Sequence, residues 1–469
     1  MGQTPNFLIF MTDQQRADTA PLFPTMKMPV LDRFWREAVA FSRAYTPSPH
    51  CCPSRATFFS GLFPARHGVW NNVDVPNAFS RDLRPGVRLF SDSLREAGYA
   101  LEFSGKWHIS AERLPEDFGW NVLARQQGRG AHASCPREEA ARAVWEAYRK
   151  LGMREPTAAG TPGEISRPGY PDYTLYGEGE NPFGDADVVN AAIAAIHRHG
   201  EQQGKQPWAL FVGPEGPHDP YFVPREFLDL HPLESIKLPE NFDDAMAHAP
   251  ALYRRMRRVF AQLSPEEHRE ALRHYLAFCS YEDALFGRVL DALAASGQAE
   301  NTVVIYCSDH GDYGGEHGLW TKGLPAFESA YHVPLLIRWP AGLIAPGRTC
   351  DAFVSLADIA PTILEIAGLP PADTDGRSLV PFLRNETPME WRSDSLRMTN
   401  GNELFGIQRS IRTDRWKLVF NGFDEDELYD LATDPGETRN LASDPSLTPI
   451  RQELYKRLWR SEERRVGKE

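Results

Sequence analysis

Cysteine is scarce: six occur in 469 residues, at 51, 52, 135, 279, 307 and 350, with no C-x-x-C pair among them. That usage excludes a secreted disulfide framework. No apolar run approaches the length needed to cross a bilayer, and no basic-apolar-small leader opens the chain. The sequence as given therefore reads as cytoplasmic, with no membrane partner. Positive charge is in deficit, 51 Lys and Arg against 64 Asp and Glu, a formal net charge of -13. A general nucleic-acid binder needs the opposite balance, whereas a small anionic substrate is governed by the charges inside its own pocket. Also missing are G-x-S-x-G, a Walker loop and H-E-x-x-H.

What is present begins with HCCPSRATFFSG, His50 to Gly61. Cys51 precedes Pro53 by two residues and Arg55 by four. Proline fixes one dihedral and lacks an N–H, so it suits a first helical turn. A helix beginning near Pro53 would aim free N–H groups and its positive end at Cys51, and Arg55 adds a fixed cation. A lone cysteine beside a helix start is ordinarily a buried thiol, so the stretch needs company.

Company comes from the ends of strand-like runs. Asn6 to Thr12 is a compact apolar run ending in Asp13 and Gln14, as a buried parallel strand ends, where open α/β sheets gather ligands. YALEFSGKWH ends in Lys106 and His108, which share one face if the segment stays extended. WALFVG leads into a turn carrying His218 between prolines, and NTVVIYCSDHG delivers Asp309 and His310. A flexible GDYGGEHGLWTKG follows and brings Lys322. Four strand ends bearing metal- or proton-handling groups predict one site along one sheet edge.

The register C-x-P-S-R-x-x-x-x-S-G at residues 51 to 61 resembles the signature of the type I sulfatases, formylglycine-dependent members of the alkaline phosphatase-like superfamily. The remaining motifs follow in order over roughly residues 5 to 445: Asp13-Gln14 where the family has Asp-Asp, Lys106 and His108, P-H-x-P at His218, Asp309-His310 with Lys322 beyond, and L-Y-D-L-x-x-D-P-x-E-x-x-N-L near the C-terminus. The resemblance implies an alkaline phosphatase-like α/β fold: a large mixed, mostly parallel sheet flanked by helices, with a smaller C-terminal α+β subdomain. The expected divisions are 1–368 catalytic, 369–460 subdomain and 461–469 a charged, disordered tail.

By the same resemblance, Cys51 is oxidised to formylglycine by a maturation enzyme, and Cys52, directly against Pro53, is out of register. One divalent cation is held by Asp13, Gln14, the residue at 51, Asp309 and His310; calcium is the expected ion, with manganese and magnesium open because His310 brings nitrogen to the set. Lys106 and Lys322 contact the sulfate, Arg55 is a further cation of the site, His218 is acid for the leaving alcohol and His108 base for the hydrated aldehyde. The implied activity is hydrolysis of a sulfate monoester, small-molecule or saccharide. A phosphonate monoester or phosphodiester hydrolase with the same site is the nearest alternative, because Asp-Gln also occurs in such relatives. More distant are a two-zinc phosphatase and a non-enzymatic scaffold in which Cys51 stays a thiol.

The rest of the chain is supporting structure. Residues 30–40 and 87–97 have the spacing of amphipathic helices, and Ser264 to Glu267 is a capping box opening a helix to about Ser296. Residues 123–185, rich in Gly, Pro and Arg around a helical stretch at 137–152, read as a substrate-side insertion.

Overall fold

A computed structural model describes residues 4–20, 27–75, 78–126, 161–167, 170–202, 206–402 and 404–466. Its strands are β1 (Asn6–Thr12), β2 (Val39–Tyr45), β3 (Ala100–Gly105), β4 (Asn121–Arg125), β5 (Glu164–Arg167), β6 (Tyr170–Thr174), β7 (Tyr176–Glu178) and β8 (Trp208–Gly213) in the first half. Then come β9 (Tyr221–Val223), β10 (Thr302–Ser308), β11 (Leu335–Arg338), β12 (Arg348–Ser355), β13 (Ser395–Gly401), β14 (Phe405–Arg412), β15 (Trp416–Asn421) and β16 (Glu427–Asp430).

Eight of them make one sheet in the order β12-β2-β11-β10-β1-β8-β3-β4. Only β11 runs antiparallel to its neighbours. The sheet is therefore large, mixed and mainly parallel, with helices on both faces. Side chains alternate across the pleat. Along β1, Phe7, Ile9 and Met11 enter one core with Phe58, Phe59 and Phe211, while Leu8 and Phe10 enter the other with Tyr275, Phe278 and Phe286. The second face is covered by one unbroken helix, Pro265–Ala295, started by the expected capping box: the Ser264 hydroxyl accepts the Glu267 N–H at 3.2 Å and the Glu267 carboxylate accepts the Ser264 N–H at 2.8 Å.

A separate antiparallel sheet, β13-β14-β15-β16, follows toward the C-terminus. Helix Thr448–Val466 packs on it through Leu454 and Leu458, against Leu396, Met398, Ile411, Leu418 and Leu428. The helix runs to Val466, well into the segment expected as a disordered tail. Among the described residues no helix is long and apolar enough to cross a membrane.

Three expectations are corrected in detail. The helix expected over 30–40 is Pro29–Trp35, and Val39 and Ala40 already belong to β2. The helix of the HCCPSR stretch starts at Cys51, two residues earlier than its proline indicated, because Pro53 occupies the third helical position, where an N–H would still have no partner. The region 123–185 contains the tail of β4, the hairpin β5-β6 and β7, while its helical stretch at 137–152 lies outside the described residues.

Candidate active site

Adjacent parallel strands β10, β1, β8 and β3 point their carboxyl ends at the N-terminus of helix Cys51–Ser60. Asp309 and His310 follow β10, Asp13 and Gln14 follow β1, Glu215 and His218 follow β8, and Lys106 follows β3. Cys51 Sγ lies 3.2 Å from His310 Nε2, 3.7 Å from Asp13 Oδ1 and 3.9 Å from Lys106 Nζ. All four groups are buried. The ends of β10, β1 and β3 therefore meet around one sulfur, while His218, after β8, is tied to Lys322.

Arg55, on the second turn of the same helix, holds the carboxylates in place. Its Nη2 donates to Asp13 Oδ2 at 3.1 Å, its Nε to Asp309 Oδ2 at 2.8 Å and its Nη1 to the Lys106 carbonyl at 2.9 Å. Lys106 Nζ adds contacts to Asp13 Oδ2 at 2.7 Å and Glu215 Oε1 at 3.1 Å. Burial and Cys51 push Asp13 toward its neutral form, but Lys106, His218 and Arg55 outweigh them and hold it ionised, well below the usual carboxylate range. Asp309 goes the other way, up to about 6, because burial and the Asp13 charge outweigh His310 and Arg55. Burial alone would raise the Cys51 thiol; Lys106, Lys322 and His310 reverse that and bring it well below its ordinary value.

His310 Nδ1 donates to the Gly311 carbonyl at 2.9 Å, which leaves Nε2 as the lone-pair nitrogen facing the site. Burial disfavours the imidazolium, yet Asp309 and Cys51 outweigh it and raise the pKa. One ligand atom each from Asp13, Cys51, Asp309 and His310 lie within 4.8 Å of one another. Two carboxylates and an imidazole nitrogen in that span suit one divalent cation.

Gln14 sits beside this group rather than squarely in it. Its Nε2 donates to Asp312 Oδ2 at 2.5 Å and Asp219 Oδ1 at 3.2 Å, so its Oε1 is turned the other way and accepts from Lys322 Nζ at 2.5 Å. Lys322 Nζ also lies 2.5 Å from His218 Nε2, whose Nδ1 donates to the Asp219 carbonyl at 2.5 Å. Asp219 is further tied to Arg167 Nη1 at 2.9 Å and to the Tyr173 hydroxyl at 2.5 Å, which brings the β5-β6 hairpin to the rim. Burial opposes its charge, but His218, Arg167 and Lys322 hold it ionised.

Lys106 and His108 do not share an extended face: β3 ends at Gly105, and His108 has φ 56°. That turn sends the imidazole past Cys51 toward Cys52 and Asp74, with Nε2 3.2 Å from Asp74 Oδ1. Burial lowers its pKa, while Cys52 and Asp74 lift it well above the ordinary value. Asp74, Glu215, Asp219 and Asp312 were not singled out by the sequence. Asp219 and Asp312 stand one and two residues from motif histidines, and that adjacency was the available signal.

A family model described as Sulfatase matches residues 5–369, and one described as N-sulphoglucosamine sulphohydrolase, C-terminal, matches residues 315–464. The choline-sulfatase of Rhizobium meliloti (strain 1021) is 30% identical over 465 residues, 94% of this chain and 83% of that protein. The N-acetylglucosamine-6-O-sulfatase of Bacteroides thetaiotaomicron is 27% identical over 490 residues, covering 97% and 85%. In fold, the phosphonate monoester hydrolase of Agrobacterium radiobacter superposes with a TM-score of 0.77 at 23% identity, over 98% of this chain and 96% of that one.

Proposed function

The chain belongs to the sulfatase family and is a sulfuric ester hydrolase; on that premise we propose that the group attacking sulfur is made from Cys51 and works beside one divalent cation held by Asp13, Gln14, Asp309 and His310. The reading rests on the convergence of Cys51, Asp13, Asp309 and His310 within 4.8 Å. Formylglycine at 51, hydrated and next to such a cation, supplies an oxygen nucleophile at neutral pH that a thiol does not.

The protein's own groups do the rest. Arg55 fixes both metal-side carboxylates through its fork. Gln14 would lend its Oε1, which its two carboxylate partners turn away from themselves and which Lys322 holds at 2.5 Å. Lys106 and Lys322 offset charge on the non-bridging oxygens of the ester. His218, with Nδ1 anchored on the Asp219 carbonyl, presents Nε2 to the leaving oxygen and gives it a proton. His108, backed by Asp74, is the base of the closing step. The substrate proposed is the sulfate monoester of a small alcohol or a sugar, the kinds of ester in the names of the choline and N-acetylglucosamine relatives.

Mass spectrometry of the peptide containing residue 51 tests the nucleophile: an aldehyde in place of the thiol supports it, and a thiol in fully active protein rejects it. In parallel, Cys51→Ala abolishes turnover and Cys52→Ala retains it; the reverse result rejects the register. Chelation followed by return of calcium, manganese or magnesium singly identifies the ion, with activity regained at one ion per chain.

One observation favours a second reading. Gln14 stands where the family's usual pair has a second aspartate, and the same Asp-Gln pair occurs in relatives that act on phosphonate or phosphate esters. Comparing kcat/KM on an aryl sulfate, a phenylphosphonate and a diester decides between them; the sulfate is expected to lead.

A further inference from the structure

On the far side of Cys51 from the carboxylates lies a second set of ligand atoms. Cys52 Sγ, a carboxylate oxygen of Asp74 and a ring nitrogen of His108 all fall within 4.8 Å of one another. His108 Nε2 and Asp74 Oδ1 are 3.2 Å apart. The loop that brings Asp74 is laced to the start of the nucleophile helix: the Cys52 N–H donates to Asn72 Oδ1 at 3.1 Å, and the Val73 N–H points at Cys52 Sγ at 3.4 Å. Cys52 is the second residue of that helix; burial raises its thiol pKa, with His108 acting the other way, so the sulfur carries a proton until a cation takes its place. Its side chain is buried, but those of Asp74 and His108 keep 16% and 20% of their exposure, so the set borders solvent.

The chemistry of this set differs from that of the first. The first set holds two carboxylates and the Gln14 amide beside His310, and with formylglycine in place of the Cys51 thiol it offers mainly oxygen to a harder cation. Sulfur, imidazole nitrogen and one carboxylate oxygen, with a fourth position left to water, are the donor set of a tetrahedral thiophilic ion. We propose that Cys52, Asp74 and His108 form a second cation site, selective for a thiophilic divalent ion of the zinc type and distinct from the hard-cation site. Binding replaces the thiol proton of Cys52, which leaves to water as the sulfur–metal bond forms. Calcium and magnesium, which prefer all-oxygen shells, do not compete there. An ion so placed occupies the His108 nitrogen; any resulting inhibition rests on the role proposed above for that histidine, whereas the site itself does not.

Cobalt(II) serves as the probe, because sulfur ligation gives it a near-ultraviolet thiolate-to-metal band that oxygen ligation does not. The full chain, preloaded with calcium, is titrated with cobalt and then back-titrated with zinc. The expected result is one equivalent with the thiolate band, displaced by zinc. It persists in Cys51→Ala, is absent in Cys52→Ser, and in Asp74→Asn appears with affinity lowered by about tenfold or more, since loss of even an outer partner costs that much. A band that is missing, that survives Cys52→Ser, or that disappears with Cys51→Ala overturns the site. Circular dichroism of the Cys52→Ser variant separates a lost site from a folding defect, and the weakened band of Asp74→Asn gives a second reading. In the activity assay the zinc inhibition constant is expected to rise in step with the cobalt affinity loss. Cobalt bound with the thiolate band and no inhibition would leave the site standing and remove His108 from the proposed reaction.

Discussion

Arg55 is a fully buried guanidinium whose donors reach two aspartates and one carbonyl. Removing it strips Asp309 of its guanidinium partner and leaves Asp13 with Lys106 alone, so Arg55→Ala is expected to lower stability by about 3–5 kcal/mol, read as a fall in the urea midpoint. Arg55→Lys returns the charge but not the planar fork; it recovers part of that stability and little turnover. Asp312 acts more quietly. Its Oδ1 accepts the N–H groups of Gly314 and Thr321 at 2.7 and 3.1 Å, and its Oδ2 the Tyr221 hydroxyl at 2.6 Å and the Gln14 amide. Asp312→Asn frees the amide to flip its NH₂ inward, and calcium affinity by calorimetry should drop by about tenfold. Cys51, Arg55 and the strand-end residues were legible because motif register and buried strands mark them. The orientation of Gln14 was not, since it is set by Asp219 and Asp312, two loop residues with no periodic signal. The place of His108 was missed because a positive φ at a non-glycine residue leaves no trace in sequence.

At the level of elements, the helix Pro29–Trp35 is held at its start by a side chain from elsewhere. Asp283, on the long helix, accepts the Val30 and Leu31 N–H groups at 2.9 and 2.8 Å. Burial still pushes its carboxyl up to about 7. An unfolded aspartate titrates near about 4, so the folded state binds the proton more tightly, and the stability this group supplies is full below that value and lost as pH rises through about 7. Asp283→Asn cannot ionise. Its stability relative to wild type should therefore improve between about pH 4 and pH 8 in urea melts, a trend opposite in sign to that of an ordinary paired carboxylate. Gly311 is the other sensitive point: a Cβ there would stand 1.9 Å from the Ser329 carbonyl oxygen. Gly311→Ala must shift His310, and loss of activity larger than loss of melting temperature is the expected outcome. β10 was plain in the sequence, whereas β2 was absorbed into the preceding helix because no glycine or proline parts them. β12, half polar and at the sheet edge, has too weak an alternation to stand out.

For the molecule as a whole, the small sheet is a brace for the segment around Cys51. The Met398 N–H donates to the Pro47 carbonyl at 2.7 Å, the Asn72 N–H to Asn402 Oδ1 at 3.0 Å, and Thr399 Oγ1 lies 3.5 Å from His50 Nδ1, the residue before Cys51. Arg397 is buried between the rings of Tyr45 and Tyr331, 4.6 and 5.0 Å from their centres, with Nη1 2.6 Å from Glu328 Oε1. Arg397→Ala is expected to cost about 3 kcal/mol or more in denaturant melts and to reduce kcat although it touches no substrate.

The register of β1 has a consequence in time. Its two neighbours in the sheet are residues 209–212 and 302–308, so β1 has both partners only after the chain has been made through residue 308. Such long-range pairing is slow to close. Until it does, Asp13 and Asp309 are strangers and Cys51 is open to any enzyme that would act on it. Once it has, the sulfur is sealed at 1% exposure.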